Sequence, residues 1–130
     1  MKENIKLFMA DKSDNLKEVM QKIDVNGHGV SLIVDKENKL LGLVTDGDIR
    51  RAIINGISLS TPIENIMNAS CTTILDNFTP LEILEIINKK KFINHLPVVN
   101  QENKVTNILL REEIRKIVFQ NIPSSLLFEK

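Results

Sequence analysis

Thr45 and Asp48 are the residues of this chain whose types and spacing best suit ligand chemistry. They stand three apart in the run Gly42-Leu43-Val44-Thr45-Asp46-Gly47-Asp48-Ile49-Arg50-Arg51. A hydroxyl can bond a phosphate oxygen, and a carboxylate can accept from two neighbouring sugar hydroxyls. Both flank a point where a strand turns into a helix. Leu40, Leu41, Leu43 and Val44 form an apolar run of strand length, broken by a glycine, and Ile49, Ala52 and Ile53 then recur at the spacing of one helix face. A helix N-terminus has unpaired backbone N–H groups and the positive end of a dipole, so it suits an anion. Together these features point to a nucleotide with its phosphate end at the helix. Thr and Asp are also favoured helix caps, so the same pair has a purely structural reading.

Other chemistry is poorly served. No Ser-His-Asp grouping, metal cluster or Gly-rich phosphate loop can be assembled. Asp46-Gly47-Asp48 resembles the Asp-x-Asp of metal-dependent glycosyltransferases, but nothing else supplies a general base or a second substrate site. His28 and His95 lack companion ligands, so a turn or strand-edge role is the default for each. No metal site and no catalytic residue are expected, and the chain does not read as an enzyme.

The composition narrows the partners. Seventeen basic residues balance 17 acidic ones over 130 residues, so no global field favours nucleic acid or anionic lipid. Five Phe with no Trp or Tyr supply no row of stacking aromatics for single strands. The single cysteine, Cys71, excludes an internal disulfide and reads as a small hydrophobe at a strand start. No apolar run approaches the ~20 residues of a membrane span, and the polar start lacks a signal-peptide core. A cytoplasmic setting is expected.

The elements that must position Thr45 and Asp48 follow from periodicity. Residues 5–10 read as a strand, Ser13 or Asp14 as a cap, and Leu16, Val19, Met20 and Ile23 as a helix face. Asn26-Gly27-His28-Gly29 ends that helix, and strands follow at 30–34 and 40–44, with a helix from about 47 to 55. Thr61-Pro62-Ile63-Glu64 and Thr79-Pro80-Leu81-Glu82 have the form of capping boxes with proline at the first helical position. The first predicts a short helix to Met67, the second a longer one. Strands are expected at 71–75, 95–99 (with Pro97 at its beginning or edge) and 105–110, and a helix at 111–118. Lys89-Lys90-Lys91 reads as a solvated helix end.

A shift of 65 residues lays the second half on the first without a gap: Leu16 on Leu81, Val34 on Val99, Glu37-Asn38-Lys39 on Glu102-Asn103-Lys104, Ile49-Arg50 on Ile114-Arg115. The expected fold is therefore α+β, two βαββα repeats packed about a pseudo-twofold axis. The repeats span 1–68 and 69–119, and 120–130 is a tail or linker.

Two such repeats, the first closed by Gly-Leu-Val-Thr-Asp-Gly-Asp-Ile-Arg-Arg, resemble a tandem pair of cystathionine-β-synthase (CBS) domains, or Bateman module. The resemblance covers about 5–118 and is most like modules associated with sugar nucleotidyltransferases. It implies a regulatory module that binds an adenine nucleotide (AMP, ADP or ATP, with or without magnesium). That module would control a fused or associated sugar-nucleotide or sugar-phosphate enzyme. Thr45 and Asp48 match the family's ribose-phosphate signature, and Gly42 matches a glycine that lets the strand run close to the ligand. The resemblance adds Asp46, Gly47 and Arg51 at the phosphate end. It places the adenine between the first and second strands of the repeat, near Phe8, Met9, Val30 and Ser31. In the second repeat Leu110, Glu113 and Asn107 replace Thr45, Asp48 and Gly42, so one nucleotide per chain is expected. A homodimer through the helices is also implied. The alternative is a ligand-free dimerisation or interaction module.

Overall fold

The computed structural model describes residues 4–90 and 93–121. A 3-10 turn, Ile5–Phe8, leads into β1 (Met9–Asp11), α1 (Leu16–Asn26), β2 (Val30–Val34), β3 (Leu40–Thr45) and α2 (Asp46–Ile54). A second 3-10 turn, Ile63–Asn65, precedes β4 (Ile74–Leu75), α3 (Pro80–Lys89), β5 (His95–Val99), β6 (Val105–Leu110) and α4 (Arg111–Asn121). Each half forms a three-stranded sheet, β1-β2-β3 and β4-β5-β6, with a parallel first pair and an antiparallel second pair. The fold is α+β in two repeats.

The 65-residue shift is visible in the hydrogen bonds. Leu40 N–H donates to the Asn103 carbonyl and Val105 N–H to the Asn38 carbonyl, each at 3.0 Å. These bonds exchange under the shift, and Lys39 bridges its own counterpart Lys104. The pseudo-twofold axis therefore passes between the two hairpin ends. Asn38 and Asn103 both have φ of 65°, a left-handed turn conformation that asparagine tolerates. Both hairpins also carry a register shift at matching places, Ile33/Val34 and Val98/Val99.

Alternation along the strands divides the core into three layers. Leu32, Val34, Leu40 and Leu43 meet Val99, Val105 and Ile108 between the sheets. Ile33 and Val44 point the other way, under Leu16, Val19, Ile23 and Ile49 of the first repeat's helices. Leu96, Val98 and Leu109 do the same under Ile83 and Ile114. Both faces of β2 are covered, which is why all five of its residues are buried.

Several boundaries differ from the sequence expectation, each for a local reason. Residues 5–8 form a turn, not a strand, because Ile5 and Phe8 both pack into the layer between the sheets. The Asn26 side-chain amide then donates to the Leu7 carbonyl at 3.2 Å. The cap of α1 is Asn15, in a reciprocal box with Glu18. Asp14 is instead occupied by Asp11 N–H. The helix expected from Thr61 shrinks to Ile63–Asn65. The Thr61 carbonyl accepts from Leu16 N–H at 2.9 Å and Ile63 N–H donates to the Asp14 carbonyl at 2.8 Å, which draws this stretch onto α1. β4 begins only at Ile74 because Cys71 and Thr72 line a cleft. Pro97 is not at a strand edge but in the middle of central strand β5. It is tolerated because β4 pairs only with Val98 and Val99, beyond it. α4 continues to Asn121, so the first residues assigned to the tail are helical. The rest of that tail, and Lys91 of the basic run, lie outside the described residues.

Candidate functional site

Thr45 ends β3 and caps α2. Its backbone N–H donates to Asp48 Oδ2 at 2.9 Å, and Asp48 N–H donates back to Thr45 Oγ1 at 3.3 Å. The second Asp48 oxygen accepts from Arg51 Nη2 at 2.7 Å. The structural reading of this pair is thus real: Thr45 and Asp48 do form a capping box. It leaves room for a ligand. A carboxylate offers about four acceptor positions and two are used here. The Asp48–Arg51 pair is largely exposed, so displacing it costs at most about 1 kcal/mol.

Thr45 points to the same side as Leu43, into the space between the sheets, and borders an open cleft of about 730 Å³. That volume is in the range of small-molecule sites. Its far wall belongs to the second repeat. Cys71 and Thr72 come from the stretch before β4, Lys89 and Lys90 from the end of α3, and Ile93, Asn94 and His95 from the start of β5. Lys90 Nζ donates to Thr72 Oγ1 at 2.7 Å, which ties the end of α3 to the stretch before β4 within that wall. Among the described residues lining it, Lys89 and Lys90 are cationic and none is a carboxylate. Burial lowers the pKa of His95, with a smaller contribution from the charge of His28, so His95 enters the cleft neutral near pH 7. Burial raises the Cys71 thiol pKa, so it presents a thiol and not a thiolate.

The structure divides the residues expected from sequence. Thr45 borders the cleft, and Asp48 stands one helical turn behind it. Phe8, Val30 and Ser31 are buried at 5%, 0% and 0% exposure and do not line it. Ser31 Oγ donates to the Phe8 carbonyl at 3.2 Å, and Phe8 stacks on His28 with ring centroids 5.6 Å apart. Met9 borders a separate surface groove with Leu7 and Val25. Gly42 faces its own chain: a Cβ there would meet Met67 Sδ at 2.7 Å and the Asn68 carbonyl at 3.0 Å. Gly47 lies under the Arg51 guanidinium, which a Cβ would meet at 3.2 Å. Asp46 lines a groove between α1 and α2, on the other side of the turn.

Sequence patterns point to no residue of the second-repeat wall, because only the packing of the two repeats brings that wall to Thr45. The pseudo-twofold places the N-terminus of α2 opposite the first strand of the other repeat. The small polar residues Asn68, Ser70 and Thr72 before β4 were the available signal.

The mirror-related region has apolar residues where the cleft has polar ones. Thr45 becomes Leu110, and Ser70 and Thr72 become Ile5 and Leu7. Ile5 and Leu110 pack on the layer that holds Phe8 and Ile108. Glu113 still accepts from Leu110 N–H at 3.1 Å, but leucine has no hydroxyl to complete the box.

A paired architecture with an open cleft bordered by both repeats can be set beside known proteins. The family model described as "CBS domain" matches residues 1–55 and again 63–120. The chain belongs to the CBS domain family. It is a tandem CBS pair, and solved members share its fold. A CBS domain protein from Pyrobaculum aerophilum complexed with AMP superposes with a TM-score of 0.76 at 21% identity, covering 89% of this chain and 95% of that one. The CBS domain pair of protein MJ0100, in complex with 5′-methylthioadenosine and S-adenosyl-L-methionine, gives 0.74 at 23% identity, over 88% and 90%. In sequence, arabinose 5-phosphate isomerase GutQ of Escherichia coli K12 is 30% identical over 92 residues, 71% of this chain. The matched stretch spans only 28% of that isomerase. No helix among the described residues is long and apolar enough to cross a membrane.

Proposed function

We propose that this CBS pair is a regulatory module, not a catalyst, that binds one adenine nucleotide in the cleft bordered by Thr45. The observation that carries this reading is the cleft itself, with Thr45 at the N-terminus of α2 on one side, Asp48 one turn behind it, and apolar and polar groups of the second repeat on the other. The Thr45 hydroxyl bonds the α-phosphate, and Asp48 accepts from the ribose hydroxyls with its unused acceptor positions. Leu43 and Ile93 supply the apolar surface for the base. The mirror region, where Ile5 and Leu110 replace Ser70 and Thr45, takes no ligand.

The nucleotide reports cellular energy or precursor supply to an enzyme of sugar-phosphate or sugar-nucleotide metabolism in the cytoplasm, an isomerase or a nucleotidyltransferase. Likeness to the CBS portion of a sugar-phosphate isomerase supports that choice. The module works as a homodimer, for which the α1–α2 groove is suited. Met20, Ile53, Ile54 and Leu59 border that groove and are 36%, 43%, 73% and 46% exposed.

A thermal-shift series with AMP, ADP, ATP, GTP and CTP, each with and without magnesium, tests the reading. The adenine nucleotides should raise Tm and the others should not. A response to none of them, in a chain that melts cooperatively, points to the interaction module instead.

A further inference from the structure

We propose that Asn55 is a self-modification site: its side chain cyclises onto Gly56 and hydrolyses to aspartate or isoaspartate, which uncaps the C-terminal end of α2.

The chain has two Asn-Gly pairs, Asn26-Gly27 and Asn55-Gly56. Glycine after asparagine leaves its own nitrogen unhindered, so the asparagine side chain can reach it. At Asn55 the Gly56 amide nitrogen attacks Cγ. A bond forms between that nitrogen and Cγ, the Cγ–Nδ2 bond breaks, and Nδ2 leaves as ammonia with the proton the amide gave up. Water then opens the cyclic imide at either carbonyl, giving aspartate or isoaspartate. The net change is one water gained and one ammonia lost, so solvent is the only co-reactant.

The structure separates the two pairs. Each ends a helix of the first repeat, and each glycine is left-handed, with φ of 74° at Gly27 and 84° at Gly56. Gly27 N–H donates to the Ile23 carbonyl at 2.9 Å and Gly56 N–H to the Ile53 carbonyl at 3.0 Å, so the attacking nitrogens are held alike. The asparagine side chains are not. Asn26 Nδ2 donates to the carbonyls of Leu7 and Val30 at 3.2 and 2.9 Å, and its Oδ1 accepts from His28 N–H at 2.8 Å. Ring closure there must break all three bonds. The Asn55 side chain is exposed and makes no hydrogen bond among the described residues. At roughly fivefold per bond, Asn26 should react about a hundredfold more slowly than Asn55. The second repeat has no counterpart, because the 65-residue shift puts Gln120 and Asn121 there, inside α4.

The products act on α2. Gly56 N–H to the Ile53 carbonyl and Ile57 N–H to the Ala52 carbonyl, both at 3.0 Å, close this helix as a Schellman motif. Isoaspartate lengthens the main chain by one carbon within that motif and breaks it. Aspartate puts a negative charge at the negative end of the helix dipole. Either change loosens the helix whose other end carries Thr45 and Asp48.

The test is to hold the full chain in warm, mildly alkaline buffer for days and sample it. Cleavage after Lys22 and after Arg51 puts the two asparagines on separate peptides, and fragmentation mass spectrometry reads each conversion. In the folded chain Asn55 should convert about a hundredfold faster than Asn26. In urea, where the Asn26 bonds are gone, the two rates should converge. The Tm of the parent should fall as Asn55 converts, and Asn55→Gln should hold its Tm over the same days. Comparable rates in the folded chain, or an Asn55 that stays intact while the unfolded chain converts, would overturn the site. Full conversion with an unchanged Tm would overturn the uncapping of α2.

Discussion

The Thr45 hydroxyl caps α2 and, under the proposed function, also bonds the nucleotide's α-phosphate; melting and binding measured on one variant separate the two roles. Thr45→Val keeps the shape and removes the bond to Asp48 N–H. Loss of a helix cap costs about 1 kcal/mol, and Tm should fall by roughly 3–6 °C for a chain of this size. The phosphate bond adds a second loss, several-fold in nucleotide affinity. Thr45→Ser should restore both. A variant that melts lower but binds as before would reduce Thr45 to a cap. His95 makes a pH prediction. Its folded pKa lies below the ordinary histidine value of about 6.5. As pH falls below that value the unfolded chain takes up a proton that the folded chain resists, so stability declines with falling pH. The neutral-histidine contribution is fully present above about pH 6.5. Denaturant melts between pH 7.5 and 5 should show the decline, and His95→Asn should flatten it.

Among the elements, β3 depends on the stretch that crosses over it after the first repeat. Leu43 and Asn68 exchange backbone bonds of 3.1 and 2.8 Å, and Gly42 makes the approach of Met67 possible. Gly42→Ala drives a methyl into Met67 and against the Asn68 carbonyl. It should cost about 1–3 kcal/mol, and Met67→Ala in the same chain should recover part of that in urea melts. A Gly42→Ala chain as stable as its parent would show that this packing is loose. Elements governed by periodicity were legible in sequence. The repeat shift located β2, β3, β5, β6 and all four helices, because buried faces repeat every two or 3.6 residues. Elements governed by distant partners were not. The turn at Ile5–Phe8 exists because Phe8 meets Ile108 of the other repeat, and the Thr61 box is undone by bonds to α1. The site followed the same division. The Thr45–Asp48 pair is local and readable; the wall from Cys71 to His95 is assembled by the pseudo-twofold, which no local pattern encodes.

For the whole molecule, two halves of the same fold differ at their ends. At one end Thr45 and two lysines border an open cleft; at the matching end Ile5 and Leu110 stand in place of Ser70 and Thr45 and pack on the layer between the sheets. Each chain should therefore bind one nucleotide. The exposed apolar residues around the α1–α2 groove should be covered in a homodimer, so light scattering at tens of micromolar should give twice the chain mass. A mass of one chain would contradict that assembly. The central claim is that the nucleotide sits at Thr45 and Asp48 and not at the mirror end. Calorimetry on the chain and two variants addresses it most directly. The unsubstituted chain should bind one equivalent of an adenine nucleotide. Asp48→Ala removes two bonds to a charged acceptor, each worth about 1.5–3 kcal/mol, and should weaken binding about a hundredfold or more. Glu113→Ala, at the mirror end, should leave affinity and stoichiometry unchanged. Abolished binding in Glu113→Ala with full binding in Asp48→Ala would place the ligand at the wrong end and contradict the account.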